Sequence, residues 1–557
     1  MTSTATCTAD LTALAADFWA WRAAQQPRSP DDIPRIDRPT GWLPDFSAAA
    51  VERYRADLTA FEARRTMIAA TYGPLEPADE VDLRLLGSAL ARVRWELDVL
   101  RSWQTQPGFY VDQTLGSVFD LLTAPDVDAA RLADVTRLLA ATGDILRTGL
   151  TNLTGHAVAE FTALAIETLD GVEGQVAQMV DALIRLNPDG WTAPDNQALA
   201  QAGERAADAL AAYRTELRRR LPGLEPATPV GREAFGQFLQ QVALVPYTPT
   251  EVLRIGRREA ERAVALEMLE RTRNGSGPRS KPAASFTTGA EQSAAQRRCE
   301  QQVRDFYRER RILGQPDTLR HYHTSLFPDY LEPIAHLGTA DDLTGPRRLD
   351  ENGGAYFPPP GDGLPYFYAA NAHDPRAGII HEGAHYQQLA LSWRHPRQLR
   401  RHYYDSTANE GIAFYNEEML LAAGLFDDAP RTREIVYNFM RLRALRVVVD
   451  VQLALGELDI EGAAAVLENS VPMDRETARS EAAFFASTPG QAMTYQVGKT
   501  QILALLADAV LAQGDAFDLQ AFHDRLWLEG NVPIALQRYE LLGDHGELDR
   551  IDALAGG

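Results

Sequence analysis

The sequence predicts a mainly α-helical protein, with two helical lobes around a central cleft and a small β-sheet near the candidate site. Three observations carry this. Ala, Leu, Arg and Glu, all good helix formers, dominate the 557 residues. Apolar residues recur at three- and four-residue intervals over long stretches. Alternating or proline-bounded aromatic pieces are confined to residues 318–368.

Taken in order, the periodicity predicts long helices over Ala48–Ala70, Val81–Trp103, Asp195–Leu221, Thr250–Arg273 and Arg431–Leu455. Pro77-Ala-Asp-Glu80 opens one of them, and Thr248-Pro-Thr-Glu251 reads as an acidic, proline-led first turn. Residues 274–294, rich in Gly, Ser and Pro and without apolar periodicity, read as a flexible linker or insertion. It separates an N-terminal helical lobe (1–273) from a C-terminal lobe (295–557) that carries the chemistry, the two forming one functional unit. The expected sheet draws on His321–Phe327, Tyr356–Pro360 and Leu364–Tyr368. No repeat of fixed period supports a solenoid.

Composition excludes several classes. With 55 Lys+Arg against 77 Asp+Glu, the formal charge is −22, which repels phosphate backbones and argues against nucleic acid as a partner. Two cysteines, Cys7 and Cys299, exclude a disulfide scaffold. No apolar run reaches the roughly 18–20 residues of a membrane span. The first residues lack a basic segment followed by an apolar one. These points together predict a cytoplasmic bacterial protein without a membrane partner; oligomeric state is not legible.

The chemistry concentrates in Ala377-Gly-Ile-Ile-His381-Glu382-Gly-Ala-His385. On a helix, residues four apart share a face, so His381 and His385 can offer two imidazole nitrogens to one metal ion. Glu382, beside the first of them, can act as general base. Zinc suits such a set because it takes nitrogen and oxygen ligands tetrahedrally and leaves a position open. Glu410 follows His385 by 25 positions, enough for the rest of one helix, a turn through His395-Pro396 and a return on a second helix that begins near Ser406. It is the candidate third ligand. Glu417, two turns beyond Glu410, is a candidate to orient a ligand histidine, as are Asp405 and Asn409. In a further stretch, Gln491, Tyr495 and Lys499 fall at i, i+4 and i+8, read as one helical stripe opened by Pro489-Gly490. Such a stripe can bind a carboxylate and an oxyanion. Lys499 is one of only two lysines in the chain. His402 and His523 are further pocket candidates, whereas His321, His323, His336, His373 and His395 read as surface or core histidines.

The segments His381–Gln388, Glu410–Glu417, Pro489–Lys499 and Phe522-His523-Asp524 resemble the bacterial domain of unknown function 885 family, most clearly over Gly353–Leu541. Its members are related to helical carboxypeptidase and oligopeptidase zincins. The resemblance implies a zincin-like bundle with Zn2+ on His381, His385 and Glu410, Glu382 as general base and Tyr495 as a transition-state hydrogen-bond donor. It also implies substrate-binding roles for Gln491, Lys499 and His523. The sequence departs from the family's usual pattern in its compact His-Glu-Gly-Ala-His, in Ala454 where a histidine is usual, and in Phe484 where an arginine is usual. The expected activity is zinc-dependent hydrolysis of an amide bond in a short peptide or peptide-like molecule, of carboxypeptidase or dipeptidase type. A metal-dependent condensation, elimination or rearrangement on an amino-acid-derived substrate remains open, as does a non-catalytic helical scaffold.

Overall fold

The computed structural model describes residues 2–29, 35–36, 38–275, 284–339, 341–343, 345–361, 363–471 and 473–556. The molecule is mainly helical, with one small sheet. Four of the five long helices expected from periodicity are present as single helices, and their starts follow the capping rules. Thr248 and Glu251 form a reciprocal capping box in which each side chain accepts from the other's backbone N–H, with Pro249 in the first turn. Thr192 with Asp195 does the same for Ala193–Arg220, whose last turn carries Arg218, Arg219 and Arg220 against the helix dipole. The helix expected over Val81–Trp103 is broken: it ends at Arg94, passes through a wider π turn (Trp95–Leu100), and reverses at Arg101 in the left-handed region, φ 48°. Apolar spacing continues through this break, so periodicity alone does not reveal it.

Of the expected linker, residues 276–283 lie outside the described residues; the next helix already begins at Gly289, capped by Thr288 and Glu291. The helix Pro249–Asn274 packs along Pro430–Leu455 in the C-terminal half. Gly256 permits that approach, because a Cβ there would lie 2.8 Å from Val447. The largest apolar core also joins the two halves, running from Leu11 and Phe119 to Leu331, Tyr403 and Leu536.

The sheet has three strands in the order β1-β3-β2: Tyr322–Leu326, Gly353–Phe357 and Asp341–Asp342, with β1 parallel and β2 antiparallel to β3. The expected extended piece Leu364–Tyr368 is a correction: a helix, Tyr366–His373, starts there directly after Pro365, which fits the residue before a first turn as well as it fits a strand. One face of the sheet lies against the helix Arg376–Ser392, where Tyr322 stacks on Tyr386 at 5.8 Å. Gly353 is required at that contact, since a Cβ would collide with the Tyr386 ring.

Candidate metal centre

His381 and His385 lie one turn apart on Arg376–Ser392, both buried, their rings 4.8 Å apart and nearly perpendicular. Glu410 projects from the adjacent helix Ser406–Ala423. Its Oε2 lies 3.3 Å from His381 Nε2 and 3.2 Å from His385 Nε2. Ligands about 2.0–2.1 Å from a tetrahedral zinc stand roughly 3.3 Å apart, so the spacing and the two-nitrogen, one-oxygen donor set both fit that ion. The three groups also compensate one another electrostatically. Burial and the Arg443 charge lower the His381 pKa, but Glu410, Glu417 and Glu382 outweigh them and raise it to about 9. Burial works against the Glu410 carboxylate, yet the two imidazoles hold it well below the usual range.

Glu417 is fully buried. Its Oε1 lies 2.7 Å from His381 Nδ1, so it can accept that proton and leave Nε2 free to ligate. Arg443 was missed: its guanidinium lies 2.8 Å from the same Glu417 oxygen and neutralises a charge that has no access to water. Glu382 lies close enough to act electrostatically on Asp341 and Tyr322 of the sheet and on Tyr368 of the helix Tyr366–His373. Burial, then Glu382, push the Asp341 carboxyl up, and the Tyr322 hydroxyl donates to it at 2.8 Å. Asp341 and Tyr322 belong to the site through tertiary packing that no local motif announces.

Tyr495 stacks on His381 at 5.9 Å and 12°, with Arg443 and Arg446 over its own ring. It sits in the first turn of Thr494–Gln513, which crosses the Glu410 helix with backbone against backbone: a Cβ on Gly498 would collide with the Thr407 carbonyl and press on Gly411. Asp450, buried on Pro430–Leu455, fixes the turn before it by accepting the N–H groups of Gly490 and Met493, each at 2.9 Å.

One expected placement and three expected roles are corrected. Gln491 is not on the Tyr495 helix but in the preceding turn, because Gly490 takes a left-handed conformation (φ 94°) and the helix begins only at Thr494. Gln491 instead lines a cavity of about 170 Å3, together with Asp405, Thr407, Phe484 and Trp103. Lys499 is buried in an ion pair with Glu418 at 2.7 Å and lies over Phe414, so its charge is already compensated. His523 lies in the core, its Nδ1 2.7 Å from the Ile312 carbonyl and its Nε2 2.8 Å from the Tyr415 hydroxyl. Asp405 caps the Glu410 helix, accepting from the N–H of Thr407 and Ala408, and orients no ligand histidine. Asn409 donates to Gln388, and His402 packs between Trp19 and Trp393. Ala454 lies in an apolar cluster with Val451, Met493 and Val497, so its position is part of the packing.

A mainly helical body that brings together a His-Glu-x-x-His helix and a glutamate on its neighbour defines the class. The chain belongs to the family described as "Bacterial protein of unknown function (DUF885)", which matches residues 35–540. No curated protein matches. Two solved structures share the fold. One is a "putative lipoprotein of unknown function" from Shewanella oneidensis, 17% identical, TM-score 0.70, covering 97% of this chain and 99% of its own. The other is a "putative lipoprotein" from Colwellia psychrerythraea, 16% identical, TM-score 0.74, covering 99% of each chain. The cytoplasmic expectation is corrected on this point, since both of these neighbours are described as lipoproteins. Among the described residues no helix is long and apolar enough to cross a membrane.

Proposed function

We propose that this protein is a zinc-dependent hydrolase that cleaves an amide bond in a short peptide or peptide-like molecule. The observation that carries the reading is the convergence of two Nε2 atoms on one Glu410 oxygen at 3.2 and 3.3 Å. Bound there, zinc supplies Lewis-acid polarisation of a carbonyl and acidifies water toward a pKa of about 7. Glu382, next to His381 but outside the ligand set, takes a proton from the attacking water and returns it to the departing amine. Tyr495 donates a hydrogen bond to the oxyanion, its ring steadied by His381 and two guanidiniums. Glu417 holds the His381 tautomer. The aromatic cavity lined by Thr407, Gln491 and Thr494, on the segments that carry Glu410 and Tyr495, offers space for a substrate side chain.

Metal analysis of the purified chain, followed by a dipeptide library, tests this. Tight zinc and cleavage are expected, with cleavage falling roughly 10²- to 10⁴-fold in Glu382→Gln while zinc is retained. Tight zinc that survives His381→Ala/His385→Ala would overturn the assignment.

A further inference from the structure

We propose that Glu300, His321 and His323 form a second site for a divalent transition-metal ion, which pins the helix Gly289–Arg310 to β1. His321 immediately precedes β1 and His323 lies within it, two residues on, so both project from one face of the strand. The Tyr322 side chain between them projects from the other face, toward Tyr386 and the first centre. Glu300 comes from Gly289–Arg310, and its Oε2 lies 2.8 Å from His321 Nδ1. The two imidazoles are stacked 5.3 Å apart at 14°. One ligand atom from each of the three residues falls within 4.8 Å of the others, as is true of His381, His385 and Glu410.

The surroundings hold these groups in place. The Glu300 side chain is only 4% exposed, and Arg304 approaches its other oxygen, Oε1, at 3.4 Å, which leaves Oε2 directed at the histidines. Arg304 also donates to the carbonyls of Leu319 and Arg320 at 2.9 and 2.7 Å, fixing the chain as it enters β1. The Gly353 N–H donates to the His321 carbonyl at 2.9 Å, and the His321 N–H donates to Asn352. His321 is 43% exposed, so solvent can complete the coordination. Two imidazoles and a carboxylate select zinc, nickel, cobalt or copper over magnesium or calcium. Arg297 and Arg304 lie close enough to repel a cation, and among the described residues no second carboxylate is seen to back a histidine here as Glu417 backs His381. Weaker binding than at the first centre follows.

The full chain, stripped with a chelator and titrated with Zn2+ alone, tests this by bound zinc per chain. Wild type should take up two ions with distinct affinities. His321→Ala/His323→Ala should keep only the tighter one, and His381→Ala/His385→Ala only the weaker. In the latter background zinc should raise the melting temperature, and adding Glu300→Gln should abolish that rise. An unchanged stoichiometry in His321→Ala/His323→Ala overturns the proposal, whether or not the other variants fold. Loss of one ion in His321→Ala/His323→Ala upholds it even if the first centre proves not to bind metal and wild type takes up only that ion, so the two proposals fail separately.

Discussion

Glu417 carries a carboxylate with no exposed surface, between a histidine ring nitrogen and a guanidinium. Its replacement by glutamine keeps the shape but removes the charge that favours His381 with its proton on Nδ1. Glu417→Gln is expected to weaken zinc binding roughly 10- to 100-fold, read by competition against a chromogenic chelator. The residue scale is also where the sequence was most informative. His381, Glu382 and His385 are fixed by the geometry of a single helix, and Glu417 by its two-turn spacing from Glu410. Lys499 was misread for the opposite reason: its partner Glu418 lies on another helix, and a rare lysine looks the same in sequence whether it meets a substrate or a buried carboxylate. The stripe through Gln491 failed by register, because the left-handed Gly490 delays the helix to Thr494. Arg443 and Asp341 had no local signal, since both enter the site by long-range packing.

At the level of elements, the crossing of the Glu410 and Tyr495 helices depends on two glycines. Gly411 and Gly498 face each other without side chains, and a methyl group on Gly498 meets main-chain atoms that cannot rotate away. Gly498→Ala is expected to destabilise the fold by roughly 3 kcal/mol or more, measured by denaturant unfolding, and to lower activity beyond the loss of folded protein. Nothing in the sequence separates these two glycines from the other thirty-eight, because only the partner helix makes them necessary. The Asp450 side chain supports the same crossing. Asp450→Ala leaves two buried N–H groups unpaired, at about 1–3 kcal/mol each, and the resulting fall in melting temperature checks it. Helix existence was legible from periodicity, whereas the break at Arg94 was not, because closely spaced apolar residues continue through it, with Val93, Trp95 and Leu97 all buried.

Across the whole molecule, a buried network joins distant parts of the chain. Arg400 reaches Asp82, Glu529 and Glu540 at 2.7–2.9 Å, and His395 approaches Glu529 at 3.3 Å. Burial alone would raise the Glu529 pKa, but His395 and Arg400 hold it down to about 2, against an ordinary 4.5. A folded-state pKa below the unfolded one means that the unfolded chain takes up the proton first as pH falls. The stabilisation is therefore complete above about pH 4.5 and is lost toward pH 2. Acid unfolding followed by circular dichroism should show this limb, and Glu529→Gln should flatten it while lowering stability at neutral pH by a few kcal/mol. The close seam at Gly411 and Gly498 has one more consequence. Two helices whose main chains touch leave no room for sliding, so the phenol of Tyr495 and the carboxylate of Glu410 travel as a single body. Breathing that admits a substrate then falls to the other elements near Glu382, among them the short strands that carry Tyr322 and Asp341. Amide exchange should be slow on both sides of the seam and faster along those strands.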